Sequence, residues 1–161
     1  MCSSDLSPEL RTVIERRYSF VRMGYSYRAT ELEAAIALSE LEQWEKIVAQ
    51  RQTNAAQLTL LLRPLDEHIQ LPVIPPDRHH AFMMYPMVAR DHVDREALLF
   101  HLEKHEIETR YMFPLLSQPY YREIFPGLES QYPVARNLSE KGFFIGIHQG
   151  LSHEDLEYVA E

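Results

Sequence analysis

The residues of this 161-residue chain best equipped for chemistry are a few histidines, arginines and lysines. His101 and His105 stand four apart, which puts two imidazoles on one helical face at metal-ligand spacing. Glu103 between them points elsewhere, and the order is not His-Glu-x-x-His. With no third ligand evident we read a solvated face and expect no metal. His148, in Gly146-Ile147-His148-Gln149-Gly150-Leu151, lies between a strand and a helix, where sites often sit. It serves as a binding residue, or else caps or packs. Arg28 can present a planar fork to a phosphate or carboxylate, or tie its own loop to an acidic side chain. A lysine that forms an imine must be desolvated to lower its pKa. Lys46, Lys104 and Lys141 are each placed as solvated surface lysines. None of the three is therefore expected to be a catalytic, imine-forming lysine.

The element that must carry these groups is Met23 to Leu62, read as a loop feeding one long helix. Thr30 and Glu33 form a capping box: each side chain can reach the other's backbone amide. Ala37, Leu41, Trp44, Val48, Ala55, Leu58 and Leu62 then recur at helical spacing as one apolar stripe. Arg63-Pro64 ends it, because proline disfavours helical geometry in the residue before it. Such a helix is roughly 50 Å long, so part of it should reach towards another domain or subunit.

Before it, Ser7-Pro8-Glu9 reads as the start of a helix to about Arg17. After it, Ile69-Gln70-Leu71 is a short strand, and Ala81 to Ala89 a clear one, with Pro86 suggesting an edge or bulge. Asp94 caps a helix from Arg95 to His105 with Ala97, Leu98 and Leu102 buried. Ile107 to Arg110 is a strand, Tyr111 to Gly127 a loop, and Pro133 opens a helix stopped by Gly142 as C-cap. Phe143 to Gly146 is the last strand, and Ser152 caps the last helix. The expected class is α+β: a small, mainly antiparallel sheet packed on helices, with the long helix as spine.

One compact domain of this size buries roughly 70% of its unfolded surface. Apolar content of 45%, charged content of 25% and net charge −8 describe a globular chain with no nucleic-acid footprint. No apolar run nears the ~20 residues of a membrane span. No secretory signal is visible. The single Cys2 suits a reducing cytoplasm, the expected location. Residues 1–6 are expected to be a non-native or disordered start. They match one reading frame of a common sequencing adapter, so a truncated reading frame is the expectation. The domain proper is then 7–161.

Gly24-Tyr25-Ser26-Tyr27-Arg28-Ala29-Thr30-Glu31-Leu32-Glu33-Ala34-Ala35-Ile36 resembles the G-Y-N-Y-R-M-T-E-x-x-A-A-I segment of the DegT/StrS-type nucleotide-sugar aminotransferases. Met84-Tyr85-Pro86-Met87-Val88 fits the family's H-x-x-Y-P-x-x-V strand. Tyr111-Met112-Phe113-Pro114-Leu115 with Gln118-Pro119-Tyr120 is similar to its H-x-P-L-H-x-Q-P-x-Y loop, with Leu116 or Ser117 in place of the second histidine. The resemblance covers the chain from about Arg11 onward and implies the C-terminal small domain of a fold-type-I, pyridoxal-phosphate (PLP) enzyme that forms a homodimer. It implies that the Gly24–Arg28 loop crosses to the neighbour's active site. Ser26 there stands where the family's Asn reaches the PLP phosphate, and Tyr25 and Arg28 are implied at the substrate. Glu108-Thr109-Arg110 ahead of the loop looks like the branch acting on nucleotide-linked 4-keto sugars. Arg110 would meet the diphosphate, and Tyr111 and Phe113 the sugar or base, unless these aromatics pack the loop down.

The family's PLP lysine lies in an S-F-x-x-x-K segment upstream of the loop, and no such segment occurs here. The expectation is a C-terminal part of a sugar aminotransferase, or of a PLP- or PMP-dependent sugar dehydratase. It would supply dimer contacts and part of the sugar-nucleotide cleft, without nucleic acid or membrane partners. The alternative is a non-catalytic α+β module that dimerises or binds a partner. On either reading the chain alone should not hold PLP. Added PLP should give no aldimine absorbance band, and borohydride should trap none on a specific lysine. A stoichiometric adduct on one lysine would refute this.

Overall fold

A computed structural model describes residues 28–112 and 115–161. The Ser7–Arg17 helix and the loop from Met23 to Tyr27 lie outside the described residues. The chain divides into a first unit, Met1–Glu40, and a second, Leu41–Glu161.

In the first unit the Thr30 capping box forms as expected. The Thr30 amide donates to Glu33 Oε2 at 2.7 Å, and the Glu33 amide donates to Thr30 Oγ1 at 3.3 Å. These bonds open α1 (Glu31–Leu41), which buries none of its residues.

The expected single long helix is interrupted. A turn at Glu42-Gln43 separates α1 from α2 (Trp44–Leu62). The physical reason lies in the stripe itself. Ala37, Leu41 and Trp44 are exposed and Val48 half-buried, while Ala55, Leu58 and Leu62 are buried. Helical stability comes chiefly from packing an apolar face, and only the second half of the stripe finds a core. A short 3₁₀ turn (Arg63–Leu65) follows at Pro64.

The remaining elements are β1 (Ile69–Gln70), β2 (Met84–Ala89), α3 (Arg95–Lys104), β3 (Thr109–Tyr111), α4 (Pro119–Ile124), α5 (Pro133–Lys141), β4 (Gly142–Gly146) and α6 (His153–Ala160). The strands form one antiparallel sheet in the order β1-β2-β4-β3. The α+β class is therefore as read from the sequence. Tyr85 lies opposite Ile145 and Met87 opposite Phe143, all four buried on one face. Against that core stand Ala55, Leu58 and Leu62 of α2, Leu99 of α3 and Leu156 of α6. Tyr85 is fully buried, and its hydroxyl lies 2.7 Å from the Thr59 hydroxyl. Thr59 gives its own proton to the Ala55 carbonyl, so Tyr85 is the donor.

Two further expectations hold locally, at Pro86 and Gly142, and one, on α3, needs correction. Pro86 sits in β2, which has neighbours on both sides, and pairs in register with Phe144. It is tolerated because β1 pairs only Val88 and Ala89, so at Pro86 the strand borders one partner. On α3 the buried residue is Leu99, with Leu98 and Leu102 half-buried and Ala97 exposed. The amphipathic face is thus rotated by about one residue. Gly142 is the C-cap of α5 as expected, its amide donating to the Leu138 carbonyl, and with φ −76° and ψ 141° it is also the first residue of β4. It must be glycine because a Cβ there would lie 2.4 Å from the Leu138 carbonyl oxygen and 2.8 Å from Met112 Cβ.

Leu58→Ala should lower the unfolding free energy by about 2–5 kcal/mol, as deleting a fully buried leucine does. Leu60→Ala, at a residue 63% exposed on the same helix, should stay within about 0.5 kcal/mol. Urea denaturation checks both. Equal losses would mean that α2 does not pack through the face described.

Candidate functional site

β3 is an edge strand, so its residues border a groove rather than another strand. The groove measures about 610 Å³ and is lined by Glu96, Leu99, Phe100, Glu103, Thr109, Arg110 and Tyr111. Two of the residues expected to meet substrate, Arg110 and Tyr111, are brought together here. The Tyr111 hydroxyl donates to Glu96 Oε2 at 2.6 Å, and the Arg95 guanidinium lies 4.5 Å from the centre of the Tyr111 ring. Arg95 also donates to Glu96 Oε1 and to the Ser139 carbonyl, both at 2.7 Å. The Tyr111 hydroxyl, then Arg95, holds the Glu96 carboxyl below the usual glutamate range, and Glu96 in turn pushes the Tyr111 phenol up. Tyr111 is thereby fixed as a neutral aromatic surface with one face capped by a cation. Arg110 pairs with Glu108 and remains exposed. A phosphate ligand would take its guanidinium from that partner, and the exchange is inexpensive because exposed ion pairs are weak.

Below the groove, Glu103 accepts from the Thr109 amide at 2.6 Å and the Thr109 hydroxyl at 2.7 Å. The hydroxyl, then the amide, lowers the Glu103 pKa. The pair ties the end of α3 to β3 and sets the angle of the groove wall.

His148 lies elsewhere. Tyr111 pairs with Phe143 at the start of β4, whereas His148 follows the end of β4 at Gly146. Some 10 Å of strand separates Phe143 from Gly146 at 3.3–3.4 Å per residue. His148 is exposed, and its Nδ1 accepts from the Gly150 amide at 3.0 Å. The next helix opens with a second capping box, Ser152 with Asp155. The Ser152 amide, then its hydroxyl, lowers the Asp155 pKa. Arg28, in the first unit, is exposed. Tyr25, Ser26 and Phe113 lie outside the described residues.

Leu115–Ser117 and α4 give the expected loop more structure than its composition suggested. Pro119 opens α4, a short helix that proline-rich composition hides. The buried Ser117 hydroxyl donates to Glu129 Oε1 at 2.7 Å, and Arg122 forks onto the same carboxylate at 2.9 and 3.0 Å. Glu129 is therefore the pin of this segment. Sequence reading also missed Asn54, buried on the apolar side of α2. Its only local signal is an amide where the stripe calls for a hydrocarbon.

His101 and His105 do come together, with ring centroids 4.3 Å apart, but His105 Nδ1 lies 2.8 Å from the His101 carbonyl and donates to it. Among the described residues no group of three His, Cys, Asp or Glu side chains could hold a metal ion. Lys46 and Lys104 are exposed, and Lys141 is tied to Asp91.

The fold places the chain among small domains of fold-type-I PLP enzymes. DesV of S. venezuelae, solved in complex with a ketimine intermediate, superposes with a TM-score of 0.78 at 24% identity, over 96% of this chain and 43% of that one. Residues 9–161 match the DegT/DnrJ/EryC1/StrS aminotransferase family, and the chain belongs to it. The GDP-perosamine synthase of Escherichia coli O157:H7 is 29% identical over 149 residues, 92% of this chain and 39% of the synthase. The lipopolysaccharide biosynthesis protein RfbH of Salmonella typhimurium is 28% identical over 149 residues, 90% of this chain and 34% of RfbH. The chain thus spans a little over a third of the length of these relatives. PLP is the family's cofactor. The described residues do not themselves fit it, since every described lysine is exposed or ion-paired.

The Glu129 carboxyl is held below its usual range by Arg122 first and Ser117 second. A depressed folded pKa contributes stability that is complete above the unfolded value, about 4.3 for glutamate, and is lost as pH falls through the folded one. Arg122→Ala should raise the folded pKa and so flatten the loss of stability on the acid side of that value. Melting temperature against pH measures it. An unaltered acid limb would show that the pair does not hold in solution.

Proposed function

We propose that this chain is the C-terminal part of a PLP-dependent aminotransferase acting on a nucleotide-linked keto sugar. It supplies dimer contacts and part of the sugar-nucleotide cleft, and is inactive alone. The whole protein moves an amino group from glutamate to the sugar in the cytoplasm, as a homodimer, and residues 7–161 form the domain. The observation that carries the reading is the groove on β3, where Arg110 and the fixed ring of Tyr111 line one wall. It is supported by the family match over residues 9–161 and by relatives such as a GDP-perosamine synthase. Exposed apolar residues on α1, Leu32 at 73%, Ile36 at 59% and Leu38 at 62%, are what a helix covered in a larger assembly presents.

In this reading each residue binds or orients. Arg110 leaves Glu108 for the diphosphate, Tyr111 and Phe113 pack on sugar or base, and His148 donates to the substrate. Tyr25, Ser26 and Arg28 act in the neighbour's site, Ser26 by one hydrogen bond to the PLP phosphate and Arg28 on the substrate.

The test joins the upstream part of the GDP-perosamine synthase of E. coli O157:H7 to residues 7–161 of this chain. The chimera should bind PLP and aminate a nucleotide-linked 4-keto sugar with glutamate as donor. Ser26→Ala should weaken PLP roughly tenfold to a hundredfold, since a hydrogen bond to a charged group is worth ~1.5–3 kcal/mol. Arg28→Ala should raise KM for the nucleotide sugar and spare PLP. A folded, PLP-loaded chimera that transfers no amino group overturns the reading, and a deoxygenated product in its place assigns the dehydratase branch.

A further inference from the structure

The turn that carries His148 is held from below by α2. Asn54 is 2% exposed, and its amide nitrogen donates to the His148 carbonyl at 2.9 Å and the Leu151 carbonyl at 3.5 Å. Its own oxygen accepts from Gln50 at 2.8 Å, so the buried amide is oriented from both ends. Arg51 donates to Gln149 Oε1 at 3.0 Å. All these bonds use backbone oxygens or the neighbour's side chain. The turn would stand with any residue at position 148.

The imidazole is fixed separately. The Gly150 amide donates to His148 Nδ1 at 3.0 Å. A neutral imidazole has one donor and one acceptor nitrogen, so a ring that accepts at Nδ1 carries its proton on Nε2. Gly150 permits this approach: a Cβ there would lie 3.1 Å from Nδ1 and 3.2 Å from Cε1. The ring itself is exposed, and its Nε2–H donates to none of the described residues. A histidine serving only the fold would bury its ring or spend both nitrogens. This one spends the inward nitrogen and presents the outward one.

We propose that His148 is an uncharged Nε2–H donor to an oxygen of the nucleotide-linked sugar, with Asn54 and Gly150 as its positioning residues. The inference rests on the function proposed above and specifies the chemistry at one of its residues. The acceptor is a hydroxyl or carbonyl oxygen of the sugar rather than a phosphate. A neutral donor with no free cation beside it among the described residues suits an uncharged oxygen better than a dianion. The nearby cation, Arg51, is occupied by Gln149.

Imidazole nitrogen NMR of the ¹⁵N-labelled chain tests this without any catalysis. At neutral pH, His148 should show an unprotonated Nδ1 and a protonated Nε2. Asn54→Ala and Gly150→Ala should each move both shifts towards a tautomer mixture and leave His153 unchanged. Gly150→Ala lies in an exposed turn, so it gives the reading even where loss of the buried amide prevents folding. Averaged nitrogen shifts in the wild-type chain, or unchanged shifts in Gly150→Ala, overturn the inference. GDP-mannose, a stable sugar nucleotide, is then titrated into the ¹⁵N-labelled, PLP-loaded chimera of the preceding test, and the Nε2 resonance should move. If other resonances move and Nε2 does not, the inference falls and the sugar-nucleotide reading stands. If none moves, that reading falls and takes the ligand of His148 with it, while the tautomer arm has already decided the positioning.

Discussion

The second unit depends on one face of α2. Ala55, Leu58 and Leu62 are buried against the sheet, with Asn54 and Thr59 beside them. The apolar contacts supply most of the drive, since burying a leucine side chain is worth about 1.5–3 kcal/mol. The two polar residues supply the geometry. Thr59 accepts the hydroxyl of the fully buried Tyr85, which fixes how β2 lies on the helix. Asn54 takes the carbonyls after β4, which fixes where that strand ends. A face of hydrocarbon alone would tolerate sliding. Two buried groups that each need a partner do not, because an unpaired one costs ~1–3 kcal/mol.

The groove on β3 follows from that placement. β4 lies between β2 and β3, so the register set on α2 carries through to Tyr111 by way of Phe143. Arg95 then serves two purposes. It packs on one face of the Tyr111 ring and holds the Ser139 carbonyl near the end of α5. The groove wall is thus joined to the end of α5 by one guanidinium with little exposure.

Local chemistry made much of this legible in the sequence. Thr30 with Glu33, Asp94 and Ser152 each mark a helix start because a capping bond spans only three residues, and Pro133 marks one because its fixed φ suits the first helical position. The short apolar runs that became β2 and β4, set between capped helices, named the class of fold. What stayed hidden depends on distant partners. The Glu42-Gln43 turn is a matter of where the core stops, which periodicity does not report. Leu99 outranks Ala97 on α3 because the sheet, not the helix, sets the buried face. Asn54 reads as a blemish on an apolar stripe until a carbonyl 94 residues away appears beside it. Of the site, Arg110 and Tyr111 were readable as a pair, but the role of Glu96 in fixing the tyrosine was not.

Lys141 is the last residue of α5 and Gly142 the first of β4, with nothing between them. Helix and strand are therefore one rigid joint, and the joint is intolerant of length. One inserted residue would turn the helix by about 100° relative to the strand. It would also exchange the two faces of every strand residue beyond it, sending Phe143 and Ile145 outward. Glycine at the joint, forced by the carbonyl pressed against it, marks a point at which the chain can change in sequence only slightly and in length not at all.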